Sequence, residues 1–269
     1  MFKIIFSDID GTLLNAERDL SDYTIGTLKK LSKAAIPFIL ISSRMPAAMR
    51  HLQKKINIEH LPLISYNGGL IIVNGEPVSS TEIPIEILTE LHKFNENHDV
   101  HLSLFHNDEW YVPRDDFWTQ REINNTKVQP QFKSNQEVLE KWRKEKKGAH
   151  KIMAMGEEEK IDAIKDFLLH NFPEQLHLYR SKPTYLEIAP GSISKLTAVQ
   201  HLLDTHFKLP LSQSMAFGDN YNDVEMLRGV GMGIAVGNAK PEVLEIAHMI
   251  TTPGKEDGVA KSITELLKL

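Results

Sequence analysis

The chain has 269 residues, no cysteine, 41% hydrophobic residues and a formal net charge of -5. The missing cysteines exclude disulfides, thiolate catalysis and Cys-ligated metals, and the acidic balance argues against nucleic acid or an anionic membrane as partner. No run approaches the length of a transmembrane helix. Asp8 and Asp10 interrupt the first apolar run before it reaches the length of a leader, so a cytoplasmic protein is expected.

Taken in order, the first elements alternate strand and helix. The run "KIIFS" reads as a fully buried parallel strand. Ser21 suits the N-cap of a helix whose apolar face uses Ile25, Leu28 and Leu31. "IPFILIS" reads as a second strand, Pro46 as the first turn of a helix, and "LPLISYNGG" as a third strand ending in a Gly-rich turn. From about Pro84 to Ala189 strands come in pairs: "VHLSLF" with "EWYVPR", and "LHLYRS" with "YLEIA" across a Lys182–Pro183 turn. "KWRKEKKG" reads as a solvated basic helix end. Alternation then resumes through "KLTAVQHLLDTHF", "SMAFGD", "NDVEMLRGV", "GMGIAV", "PEVLEIA", "HMITT" and a last helix. The reading is α/β: a Rossmann-like parallel-sheet core from residues 1–83 and 190–269, with an α+β cap inserted over 84–189.

In an open parallel sheet, sites form at the carboxyl ends of strands. Four such ends carry polar groups here: Asp8 and Asp10; Ser42, Ser43 and Arg44; Asn67, Gly68 and Gly69; and Gly218, Asp219 and Asn220 with Asn222 and Asp223. Together they suit a hard cation with oxygen ligands. Singly each has a plainer reading, since Asp-x-Asp-Gly makes a turn and Asp223 can merely cap a helix. Lys195 falls in the first turn of a helix that begins near Ser192 or Ser194. A cation there opposes the helix dipole, which marks a site unless the lysine snorkels into solvent.

These residues resemble the haloacid dehalogenase-like superfamily of phosphotransferases. "DIDGTLL" is similar to its first motif, "ILISSR" to its second, Lys195 to its third and "GDNYNDVEML" to its fourth. "SYNGG", "GNAKPEV", "EDGVAKSI" and the large insert resemble the Cof-type branch. Ser43 departs from the Gly that the branch usually has before Arg. The resemblance implies Asp8 as nucleophile, Asp10 as general acid and base, and Ser42 and Lys195 as partners of the phosphoryl group. It implies Mg²⁺ held by Asp8, the Asp10 carbonyl and Asp219. It places Gly11, Ser43, Arg44, Asn67, Gly68 and Asn222 around the phosphate, with Asp223 and Asn220 in support.

The implied function is a Mg²⁺-dependent phosphatase of small phosphate esters, sugar phosphates foremost. Three alternatives stand beside it: a phosphatase for a phosphorylated cofactor such as pyridoxal phosphate or FMN, a phosphomutase, and a phosphosugar-binding regulator without turnover. Tyr185 and Glu187, on the last cap strand, are candidates for contacting substrate hydroxyls, although ordinary strand residues fit as well. His101 and His106 differ by an odd number and fall on opposite strand faces, against a metal site there. Trp110 and Tyr111 read as cap core. The sequence leaves the oligomeric state open.

Overall fold

The computed structural model describes residues 2–268, with Ser181 by its backbone alone. Two compact units divide the chain. The first takes residues 2–44, 49–79 and 194–268, and the second takes 45–48 and 80–193.

The first unit opens with β1 (Ile4–Ser7), α1 (Asp22–Lys33), β2 (Phe38–Ile41), α2 (Ala47–Lys55), β3 (Leu63–Ser65), β4 (Leu70–Val73) and β5 (Glu76–Ser80). In the second unit follow α3 (Ile85–Asn95), β6 (His101–His106), β7 (Glu109–Val112), α4 (Phe117–Thr126), β8 (Gln131–Phe132), α5 (Asn135–Glu145), β9 (Lys151–Met155), α6 (Glu158–Asn171), β10 (Leu176–Lys182) and β11 (Tyr185–Pro190). The chain returns through α7 (Lys195–Leu202), β12 (Ser214–Gly218), α8 (Val224–Gly229), β13 (Met232–Ala235), α9 (Pro241–Ile246), β14 (Met249–Ile250) and α10 (Gly258–Leu267).

The first unit is one sheet in the order β14-β13-β12-β1-β2-β3-β4-β5. The pairings from β14 to β3 are parallel, and β4 runs antiparallel to β3. β1 sits mid-sheet, with Ile4, Ile5 and Phe6 fully buried, as a strand covered on both faces requires. Ile4, Phe6, Ile39, Ile41 and Ala216 share a core with Val199, Leu202 and Leu227 from the helices. Ser21 caps α1, accepting from Thr24 N–H at 3.0 Å. Leu28 and Leu31 face inward, while Ile25 is only half-buried.

In the second unit the sheet order is β10-β11-β9-β6-β7-β8. Its pairs are antiparallel except β7 with β8. Strand alternation gives the sheet two faces. Leu102, Leu104, Ile152, Ala154, Leu186 and Ile188 form one core with Leu88, Leu91, Trp142 and Ile164 of α3, α5 and α6. Register puts Ser103, Phe105, Lys151, Met153, Tyr185 and Glu187 on the other face.

Three local expectations change. The strand pair β4 and β5 goes beyond the sequence reading, which took "NGG" as the end of its segment; Leu70–Val73 is a short apolar run that turns back on β3. Pro46 lies just before α2 rather than in its first turn. In the basic run, Trp142 is fully buried, and Lys141 and Lys147 pair with Glu109 at 2.9 and 3.0 Å. Those lysines hold β7 to the end of α5 rather than standing free in solvent.

His106 and His150 lie side by side in the second unit, ring centroids 4.8 Å apart, close enough with Glu82 to share an ion. Their hydrogen bonds are internal. Asn107 N–H donates to His150 Nδ1 at 3.1 Å, which leaves the proton on Nε2 to donate to Ser80 Oγ at 2.9 Å. Ser80 in turn donates to Glu82 at 3.1 Å. His106 Nδ1 donates to the Gly148 carbonyl at 3.0 Å. Burial and the neighbouring His106 push His150 down to about 3. An unfolded histidine titrates near 6.5, so the unfolded chain binds the extra proton between those values. Stability is then full above about 6.5 and falls with pH below it, by about 1 kcal/mol per pH unit for this group. Urea unfolding at pH 7, 6 and 5 should show that slope as the difference between wild type and His150→Gln, the other titrating groups being common to both.

Candidate active site

β1, β2 and β12 are adjacent and parallel, so their carboxyl ends bring Asp8, Ser42 and Asp219 to one edge of the sheet. Asp8 and Ser42 are 6% and 1% exposed. The turn after Asp8 needs glycine: Gly11 has φ +86°, and a Cβ there would sit 2.3 Å from Asp219 Oδ2. Thr12 Oγ1 then donates to Asp219 Oδ1 at 2.7 Å. The first and fourth motifs are thereby locked together.

Ser194 is the N-cap of α7, in a reciprocal capping arrangement with Thr197. Lys195 is therefore the first helical residue. It does not snorkel: it is 1% exposed, and its Nζ donates to Asp8 Oδ1 at 2.5 Å and to Asp223 Oδ1 at 2.6 Å. The other Asp223 oxygen accepts from the backbone N–H of Asp219 at 2.9 Å and of Asn220 at 3.0 Å. Asp223 thus orients the lysine and shapes the Asp219 loop at once. Asn220 Oδ1 accepts from Tyr221 N–H at 2.9 Å.

Ser42 Oγ accepts from Arg44 N–H at 3.3 Å, and Ser43 beside it is half-buried. Asn67 takes a left-handed φ of 55°, and its Oδ1 accepts from Asn222 Nδ2 at 2.9 Å. Gly68, with φ +106°, leaves no room for a Cβ, which would lie 2.6 Å from the Ser194 carbonyl. That close approach seats the Asn67–Gly68 turn on the start of α7.

Asp10 carries the arrangement the sequence did not reveal. Arg44 grips it with Nε at 2.6 Å and Nη2 at 2.7 Å, and Arg18 adds Nη2 at 2.9 Å. Burial would raise its carboxyl, but the hydrogen bonds and charge of Arg44, then the charge of Arg18, hold it below the usual range. Arg18 stands eight residues along a loop, where no motif marks it. Thr12, read only as a motif letter, is the other unforeseen contact.

Asp8 and Asp219 are shifted in the opposite sense. Burial raises Asp8 well above the ordinary value, with Lys195 opposing and Asp223 and Asp219 adding to the rise. Burial and Asp223 push Asp219 up to about 6 against the Thr12 hydrogen bond. Burial alone would lower the Lys195 ammonium, yet Asp223 and Asp8 raise it. Asp8, Asp219 and Asp223 each offer an oxygen within 4.8 Å of the others. One ammonium leaves this group short of positive charge. An all-oxygen set with surplus negative charge fits a hard divalent cation.

A family model for haloacid dehalogenase-like hydrolases matches residues 5–263. The chain belongs to this family. The expectation of an enzyme, a phosphoric monoester hydrolase on a parallel α/β core, holds with it. A Haemophilus influenzae protein named as a candidate phosphatase is 33% identical over 98% of both chains. The 5-amino-6-(5-phospho-D-ribitylamino)uracil phosphatase of Bacillus subtilis is 26% identical over 99% of this chain and 98% of that one. Among solved structures, a haloacid dehalogenase-like hydrolase from Bacteroides thetaiotaomicron is 26% identical, superposing with a TM-score of 0.89 over 99% of this chain and 100% of that one. Among the described residues, no helix is long and apolar enough to cross a membrane.

Proposed function

We propose that this hydrolase is a cytoplasmic, Mg²⁺-dependent phosphatase of small phosphorylated metabolites, sugar phosphates foremost, working through a phosphorylated Asp8. The observation that carries the reading is the buried Lys195 ammonium, held 2.5 Å from Asp8 and 2.6 Å from Asp223 at the rim where Asp219 and Ser42 converge. A lysine buried so completely, against the helix dipole, is costly unless charge must be balanced there.

In this reading an Asp8 oxygen attacks phosphorus and the bond to the leaving alkoxide breaks. Asp10 gives the alkoxide its proton, then takes one from the water that releases inorganic phosphate. The Arg44 and Arg18 ion pairs keep Asp10 ionised at rest, so donating a proton requires it to leave them and be protonated. Lys195 and the Ser42 hydroxyl stabilise charge on the phosphoryl oxygens. Asn67, Gly68, Ser43, Arg44 and Asn222 frame the phosphate around the Gly11 turn, and Asp223 and Asn220 keep Lys195 and Asp219 in place. Mg²⁺, held by Asp8, Asp219 and the Asp10 carbonyl, supplies charge neutralisation when bound.

The second unit is read as the part that selects the leaving group. Among the described residues the buried Tyr185 hydroxyl has no hydrogen-bond partner, and it lies on the same sheet face as Glu187. An unmade buried hydrogen bond costs about 1–3 kcal/mol, which a substrate hydroxyl would recover. A phosphorylated cofactor or its precursor is the second reading, favoured by the Bacillus subtilis relative, whose name joins a phosphorylated ribityl chain to a uracil.

The test is phosphate release from an aryl phosphate and from a panel of sugar and cofactor phosphates, with Mg²⁺ and with EDTA. Release that is indifferent to EDTA would remove the metal. Asp219→Ala should raise the half-activating Mg²⁺ concentration at least about tenfold, because a charged ligand of a hard cation is lost. With Asp219 raised to about 6, protons compete with the cation below that pH. The wild-type Mg²⁺ requirement should therefore climb between pH 6 and pH 5 and stay flat from pH 7 to pH 8.

A further inference from the structure

The loop after β13, residues 236–240, grips both acidic loops. Val236 N–H donates to the Gly218 carbonyl at 3.2 Å, and Lys240 N–H to the Asp219 carbonyl at 2.9 Å. Between them, Asn238 spans two chain segments with one side chain. Its Nδ2 donates to the Gly11 carbonyl at 2.9 Å, and its Oδ1 accepts from Gly254 N–H at 2.8 Å. Only one amide orientation serves both partners, since a carbonyl only accepts and a backbone N–H only donates. Gly254 packs flush against the same turn: a Cβ on it would lie 2.4 Å from the Thr12 carbonyl and 2.6 Å from that of Gly11.

The geometry points to Asn238 as a positioning residue that sets the Asp8–Asp10 turn for attack and for cation binding, by fixing the Gly11 carbonyl from a loop that also holds Asp219. Gly11 has a left-handed φ and the widest conformational freedom of any residue in the turn. Its peptide needs an external anchor if Asp10 is to keep one orientation relative to Asp8. The Asn238 amide is that anchor, although the side chain itself is exposed and touches none of the reacting groups. The inference rests on the phosphatase reading for its catalytic half and on the carboxylate cluster alone for its cation half.

Two substitutions separate this role from simple packing. Asn238→Ala removes both hydrogen bonds. Asn238→Asp keeps the acceptor for Gly254 but sets a carboxylate oxygen against the Gly11 carbonyl. Both are measured in the full chain for kcat and KM on an aryl phosphate and for thermal unfolding, and Asn238→Ala also for Mn²⁺ binding by electron paramagnetic resonance. Displacements of about 1 Å at a reacting group cost up to about 10²-fold. The expected result is a kcat about tenfold lower in both variants, KM within about twofold of wild type, and a Mn²⁺ Kd about fivefold higher in Asn238→Ala. Wild-type kcat in Asn238→Asp would mean that only the Gly254 link matters and would overturn the assignment. So would variants that melt earlier but keep kcat and Mn²⁺ affinity. A wild-type chain that releases no phosphate would overturn the phosphatase reading instead; Mn²⁺ affinity would then decide the role of Asn238, with an unchanged Kd in Asn238→Ala counting against it.

Discussion

Asp8→Asn is expected to abolish phosphate release, by about 10⁴-fold or more, as loss of a covalent nucleophile does, while the protein stays folded. The amide is nearly isosteric with the carboxylate and keeps an oxygen that can accept from Lys195 Nζ. Lys195 retains its ion pair with Asp223 at 2.6 Å, so no buried charge is left alone. Burial already raises the Asp8 carboxyl well above its usual range, and a neutral group is the easier one to accommodate there. Unfolding free energy should accordingly change by no more than about 1 kcal/mol. The decisive measurement is acid quench of a reaction with labelled phosphate ester. Wild type should trap label on the protein, and Asp8→Asn should trap none. A variant that turns over near the wild-type rate would mean that Asp8 does not attack phosphorus.

Much of the architecture was legible because its signals are local and redundant. Four apolar runs end in polar residues at matching places, and a buried parallel strand can hardly hide such a run. Ser21 and Ser194 cap helices because hydroxyls bond to nearby backbone, an effect confined to a few residues. What escaped the sequence was long-range pairing. Nothing in "ERDL" says that Arg18 reaches back to Asp10, since the contact depends on a loop conformation. The Lys141 and Lys147 pairs with Glu109 likewise join residues that only the fold of the second unit brings together. Leu70–Val73 was missed for a different reason: a four-residue apolar run after a Gly-rich turn carries too little pattern to separate a strand from a loop. The macrodipole argument singled out Lys195 through a broken local rule, and the structure buries that lysine between Asp8 and Asp223 instead of letting it snorkel.

Lys195→Met should be the most damaging of these changes to stability, and it should slow turnover as well. Methionine matches the length and apolar stem of lysine but leaves Asp8 and Asp223 buried without their shared cation. Removing one member of a buried ion pair typically costs about 3–5 kcal/mol, and two carboxylates depend on this one ammonium. Turnover should fall by about 10²–10³, the range seen when a single preorganised donor to a developing oxyanion is lost. The sign of the pH dependence distinguishes this cause from poor packing. Asp8 is already raised in the wild type, and without the ammonium it must rise further. A folded-state carboxyl above its unfolded value binds extra protons in the native state, so stability drops as pH climbs through the raised pKa. Lys195→Met should therefore regain part of its lost stability relative to the wild type between pH 8 and pH 5, the His150 contribution being common to both. Mg²⁺ should rescue stability in the variant more than in the wild type, because the cation then carries the whole neutralising charge. If unfolding of Lys195→Met shows the wild-type pH slope and no added response to Mg²⁺, the lysine serves packing, and the electrostatic reading of this site is wrong.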